Sequence, residues 1–120
     1  MKTHGTFFTP ADNSGAKKIF CIHQPTRRLK IGQTITVSIK EALPSSRSRV
    51  QKGKIYKALI CELKQKKSRF THLTRSFGRN AVVLLNAKGD PIGTRVSSLA
   101  SFELRAAGQA KIASISPFLF

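Results

Sequence analysis

The stretch QTITVSIKEA, Gln33 to Ala42, alternates with a period of two. Ile35, Val37 and Ile39 fall on one side, and Thr34, Thr36, Ser38 and Lys40 on the other. That is the pattern of a β-strand with one buried face. Working outward, Lys17 to Gln24 reads as a strand before it, and Asp12-Asn13-Ser14-Gly15 as a tight turn. Asp and Asn bond their own backbone in such turns, and Gly supplies positive φ. Thr6 to Thr9 is a short extended segment stopped by Pro10. Downstream, Lys52-Gly53 turns the chain into a largely apolar strand, Lys54 to Leu63. Ala81 to Leu85 is a continuous apolar run, as expected of a strand near the centre of a core. Gly89-Asp90-Pro91 is a further turn. Ser97 to Ala107 carries Leu99, Phe102 and Leu104 at near-helical spacing, with Gly108 as a stop. Lys111 to Ser116 reads as a closing strand. Short strands with frequent turns predict a mainly β fold, a small barrel or sandwich, as one domain over residues 1–120.

The charge balance narrows the function. There are 22 Lys and Arg against 5 Asp and Glu, a net charge of +17. Self-repulsion of that size disfavours a compact free monomer, and a polyanion relieves it. Nucleic acid fits, because Lys and Arg displace condensed counterions from phosphates. An anionic membrane surface calls for a basic amphipathic helix, and no stretch has that pattern. No apolar run reaches the length of a transmembrane helix, so no membrane partner is expected. The start, Met1-Lys2-Thr3-His4, has no secretory apolar region, so the chain is expected to work where it is made or to have lost a presequence. Cys21 and Cys61 each lie inside an apolar run and read as reduced, buried side chains, with a disulfide as the alternative.

Catalytic chemistry has no visible home. Asp12, Glu41, Glu62, Asp90 and Glu103 form no close pair for general acid–base work. His4, His23 and His72 match no metal-ligand spacing with the two cysteines. No cofactor is expected, and no enzyme. The cations instead gather in loops: Arg27, Arg28 and Lys30; Arg47, Arg49, Lys52 and Lys54; Lys64, Lys66, Lys67 and Arg69; Arg75 and Arg79. With Lys17, Lys18 and Lys40 on strands, these are the candidate RNA-binding residues. Ser45, Ser46 and Ser48 add small hydrogen-bonding groups, and Arg can grip phosphate in a bidentate way. Phe7, Phe8, Phe20, Phe70, Phe77 and Phe102 read as core or barrel-cap residues, leaving no assignable stacking platform.

ADNSGAKKIFCI (11–22), TITVSIKEALP (34–44), Lys52-Gly53 with Lys57-Ala58, Asn80 to Leu85, Pro91 to Arg95, Glu103-Leu104-Arg105 and Lys111-Ile112 run in order along the chain. Together they resemble the universal large-subunit ribosomal protein fourteen family. The resemblance implies a small closed five-stranded β-barrel with short C-terminal helices. It implies a structural constituent of the large ribosomal subunit, bound to large-subunit rRNA and facing small-subunit rRNA across the interface. It implies contact with a neighbouring large-subunit protein, the nineteenth of the bacterial series. It also places Thr94, Arg95 and Lys111 on the surface met by a ribosome-silencing factor. The chain departs from the family pattern at Gly78-Arg79, at Ser98-Leu99, in a longer loop after Pro44, between Leu63 and Phe77, and in the tail Pro117 to Phe120. Most changes remove acid or add cationic or apolar residues. That drift points to an organellar, mitochondrial ribosome, with plastid or bacterial cytoplasm as the alternatives. The apolar tail is expected either to close over the barrel or to meet a neighbouring protein. The competing function is a free-standing, OB-like binder of single-stranded nucleic acid.

Overall fold

The computed structural model of the chain describes residues 7–23, 30–44, 48–64, 67–68, 74–75, 79–94 and 96. Five strands close a barrel: β1 (Phe7–Pro10), β2 (Ala16–His23), β3 (Thr34–Ala42), β4 (Ile55–Glu62) and β7 (Ala81–Leu85), in the order β1-β2-β3-β4-β7. β5 (Lys67–Ser68) and β6 (Thr74–Arg75) form a separate two-stranded sheet that the sequence reading did not anticipate. The strands expected from periodicity therefore stand within about one residue of their predicted ends. The helix expected at Ser97 to Ala107, the closing strand at Lys111 to Ser116 and the apolar tail lie outside the described residues.

The alternation of Gln33 to Ala42 is realised as expected: Ile35, Val37 and Ile39 are buried and face the barrel interior. Ile19 and Cys21 of β2 face them across the sheet, with Ile19 opposite Ile39 and Cys21 opposite Val37. Phe8, Ile60 and Leu84 add bulk to the same core. All of β7 is buried, as its unbroken apolar run demands. Both cysteines are free and buried.

Antiparallel neighbours β2-β3-β4 follow one another along the chain, but closure depends on a long-range parallel seam. Thr9 stands opposite Ala81 and Pro10 opposite Val82. The Thr9 amide donates to the Asn80 carbonyl at 3.0 Å and the Ala11 amide to the Val82 carbonyl at 2.9 Å. Pro10 sits between these two donors, where its missing N–H leaves the seam intact.

Asp12 carries the seam one step further with its side chain. Its Oδ2 accepts the Leu84 amide at 3.1 Å, and its Oδ1 accepts the Ser14 hydroxyl at 2.8 Å and the Ser14 amide at 3.4 Å. The rest of this turn fastens two other segments. The Ser14 carbonyl accepts the Arg49 amide at 2.8 Å, and the Gly15 carbonyl accepts the Leu43 amide at 2.9 Å. Asn13 holds Thr94 twice: its Oδ1 accepts the Thr94 amide at 2.8 Å and its Nδ2 donates to the Thr94 Oγ1 at 2.9 Å.

Burial pushes the Asp12 carboxyl up from its ordinary range, against the pull of the hydrogen bonds from Ser14 and Leu84. The folded state thus binds this proton more tightly than the unfolded chain. The associated stability is complete below the unfolded carboxyl pKa, about 3.9, and is lost as pH rises through the raised folded value. Acidification from about pH 7 to about pH 4 is therefore expected to stabilise the wild type relative to Asp12→Asn. Paired melting curves check this; a Tm difference that shifts toward the Asn variant on acidification contradicts it.

Candidate nucleic-acid interface

The barrel is covered unevenly. β7 and the Ala58–Glu62 end of β4 are buried on both faces, whereas β1, β2, β3 and the start of β4 keep an open outer face. Lys17 and Lys18 are exposed on β2, and Lys40 on β3. Lys52 and Lys54 are exposed in the turn that docks on β3, where the Gly53 amide donates to the Ile39 carbonyl at 2.8 Å. Lys18, Lys40 and the Lys52–Lys54 turn therefore share one side of the barrel. Lys30, ahead of β3, and Lys64, just beyond β4, are also exposed.

The β5-β6 register sets Lys67 opposite Arg75. Arg27, Arg28, Arg47, Lys66, Arg69, Arg95 and Lys111 lie outside the described residues. Among the described residues, the only exposed acid is Glu41.

Two expected RNA ligands have partners within the protein. The Arg79 Nε donates to the Glu62 Oε2 at 2.7 Å, so part of this guanidinium is committed to a buried carboxylate. The acids form no close pair with one another in the sequence, and a cation at the far end of the excursion from β4 to β7 satisfies Glu62. The Arg49 Nη1 donates to the Ile92 carbonyl at 3.1 Å while the side chain stays exposed. The basic stretch that carries Arg49, Lys52 and Lys54 is not wholly surface: Val50 within it is 2% exposed and plugs into the barrel cluster. Ser48 braces it, accepting the Val50 amide at 3.2 Å and donating to the Val50 carbonyl at 2.6 Å. The part of the loop from 48 to 54 is thus anchored, which fixes where Lys52 and Lys54 project.

The aromatics need a second correction. Phe8 is in the core, but Phe7 is 47% exposed. It stands opposite Phe20 in the β1-β2 register; Phe20 stands opposite Ser38, and Ser38 opposite Ile55. Cross-strand partners share a face, so these four residues form one row across the outside of the barrel. The Phe7 and Phe20 rings meet edge to face with centroids 5.1 Å apart. The Lys18 ammonium lies 4.4 Å from the Phe7 centroid and that of Lys40 5.4 Å from the Phe20 centroid. Lys57, one step along β4 from this row, is a further exposed cation that the loop-based reading missed. The signal was present: Lys18 and Phe20 share a phase of β2, as do Ile55 and Lys57 of β4, and in each pair the lysine marks the outer face.

Among the described residues, no group of three or more His, Cys, Asp or Glu is placed to hold a metal ion. A model of the Ribosomal protein L14p/L23e family matches residues 1–120. The Large ribosomal subunit protein uL14 of Aquifex aeolicus (strain VF5) is 42% identical over 115 residues, covering 93% of each chain.

Proposed function

The chain belongs to the Ribosomal protein L14p/L23e family, and from that membership we propose that it is seated on large-subunit rRNA by the open, cationic side of its barrel. As a member it is a structural constituent of the large ribosomal subunit and not an enzyme. The observation that carries the RNA reading is the cluster of exposed lysines Lys18, Lys40, Lys52 and Lys54, with Lys17 exposed on the same strand as Lys18 and Glu41 the only exposed acid among the described residues. Lys30, Arg49 and Lys64 extend the cationic surface, and Lys67 and Arg75 are assigned to it by their place among the cation clusters of the sequence. Arg27, Arg28, Arg47, Lys66 and Arg69 join it by their place in the basic loops, and Arg79 does so with one donor held by Glu62.

Thr94, Arg95 and Lys111 are assigned to the intersubunit face, toward small-subunit rRNA and a silencing factor. The double hold of Asn13 on exposed Thr94 supports a fixed surface there. The neighbouring large-subunit protein is the nineteenth of the bacterial series, and the acid-poor drift of the chain supports a mitochondrial ribosome as its setting. The free-standing single-strand binder is not favoured, because the family match spans the chain.

The test is binding to protein-free large-subunit RNA as a function of salt. With six or more phosphate contacts, affinity falls by roughly a thousandfold or more between about 50 and 200 mM salt. Binding that ignores salt contradicts the proposal.

A further inference from the structure

Single exposed apolar side chains need no explanation. Here, however, the large exposed hydrophobics of the described residues are Phe7 and Ile55, and they stand at the two ends of one cross-strand row. Three inter-strand steps make this row about 14 Å long. Between the ends lie the partly buried ring of Phe20 and the hydroxyl-bearing Ser38. Lys18 and Lys40 flank it, and neither is in an ion pair among the described residues. Beyond them a side chain added at Gly53 would meet nothing within 4 Å, so the face opens to solvent at the Lys52–Lys54 turn.

We propose that this row, Phe7-Phe20-Ser38-Ile55 with Lys18 and Lys40 beside it, seats an unpaired segment of RNA, with a base stacked on Phe7 and the adjoining phosphates on the two ammonium groups. The proposal rests on the rRNA-binding reading and deepens it. A nucleotide carries a π face and an anion a short distance apart, and the row presents an aromatic ring and an ammonium in the same relation. Stacking accepts any base, because every base has a π face, and the hydroxyl of Ser38 offers a hydrogen bond to a base edge or a ribose 2′-OH. The cation–π contacts do not complete the surface by themselves, since Phe7 keeps 47% of its area in water with Lys18 in place. A protein partner fits less well. Covering the row with an apolar protein face would bury two ammonium groups without carboxylates, at a cost that exceeds the apolar gain. RNA supplies the counter-charge along with the flat apolar surface.

The experiment uses the full chain and two fluorescein-labelled probes, a mixed-sequence single-stranded RNA 12-mer and a blunt RNA duplex of the same length. Phe7→Leu keeps an apolar side chain and removes the π face. It is expected to weaken single-strand binding roughly tenfold, the size of one lost base–aromatic stack, with duplex binding and the salt slope unchanged. Phe7→Trp is expected to retain wild-type affinity, and its indole fluorescence to be quenched by the single strand. If Phe7→Leu binds both probes like wild type while wild type remains steeply salt-dependent, stacking is wrong and the rRNA reading stands. Equal weakening on both probes, or an unquenched indole at full occupancy, also overturns stacking. Unchanged RNA binding with poorer incorporation into the large subunit assigns the row to a protein neighbour instead. Wild-type protein that binds neither probe in a salt-dependent way removes the rRNA reading and this inference together.

Discussion

Gly15→Ala is expected to destabilise the protein by roughly 2–5 kcal/mol, lowering Tm by about 10 °C or more, whereas Gly53→Ala costs about 1 kcal/mol. Both glycines have left-handed backbones, φ +101° and +85°. Both substitutions therefore carry the strain of an L side chain in that region. They differ in their surroundings. A Cβ at Gly15 would sit 2.7 Å from the Ser48 Cα and 2.6 Å from its Oγ, whereas a Cβ at Gly53 meets nothing within 4 Å. A backbone atom cannot give way as a side-chain tip can, so the segment from Ser48 to Val50 must lift. Lifting it strains the bond from the Arg49 amide to the Ser14 carbonyl and draws Val50 out of the core. The consequence for function is that Lys52 and Lys54 lose their fixed placement beside Lys40. Thermal melts of the two variants check this, and equal losses at the two positions contradict the packing described for the turn.

This turn also shows how far the sequence could be read. Asp12-Asn13-Ser14-Gly15 is recognisable as a turn from residue chemistry alone, and the local strands are recognisable from alternation. What the turn holds is not, because its partners are distant: Leu84 for Asp12, Thr94 for Asn13 and Ser48 packed against Gly15. The same holds for barrel closure. The β1-β7 seam joins residues some seventy positions apart through a parallel pairing that leaves no local mark. Val50 was hidden because one apolar residue among Ser, Arg and Lys has no period to reveal it.

The aromatic row was missed for the opposite reason. Its phase is legible, since Lys18 and Lys57 label the outer face, but the usual preference of Phe for the interior points the other way. The candidate RNA-binding residues were visible as charge clusters. Their common side, joining Lys18 and Lys40 on strands to Lys52 and Lys54 in a turn, emerges only when the β3-β4 connection is folded back on the sheet.

That common side carries the second large expected effect. Replacing Lys18, Lys40, Lys52 and Lys54 together by Gln removes four of the cations that the proposal assigns to phosphates. Each lost contact reduces the slope of log affinity against log salt by about 0.9 on duplex RNA regions, taking the duplex value as a guide, and by about 0.7 on single strands. For four contacts the wild type is therefore expected to lose roughly a hundredfold more affinity than the variant between about 50 and 200 mM salt. Stability should change little, because all four side chains are exposed and unpaired with acids among the described residues. Removing four like charges relieves some self-repulsion at low salt, which offsets the loss of the exposed Lys18–Phe7 and Lys40–Phe20 cation–π contacts. An unchanged slope would place the phosphates elsewhere on the molecule.

The central claim is that the chain is a structural part of the large ribosomal subunit, and the sedimentation of the endogenous protein tests it most directly. Ribosomes are separated into subunits and resolved on a sucrose gradient with magnesium high enough to keep each subunit intact. The protein is then measured across the fractions. It is expected to follow the large subunit at a constant ratio to large-subunit rRNA and to remain there through a moderate salt wash. Protein found at the top of the gradient, or travelling with the small subunit, would contradict the account.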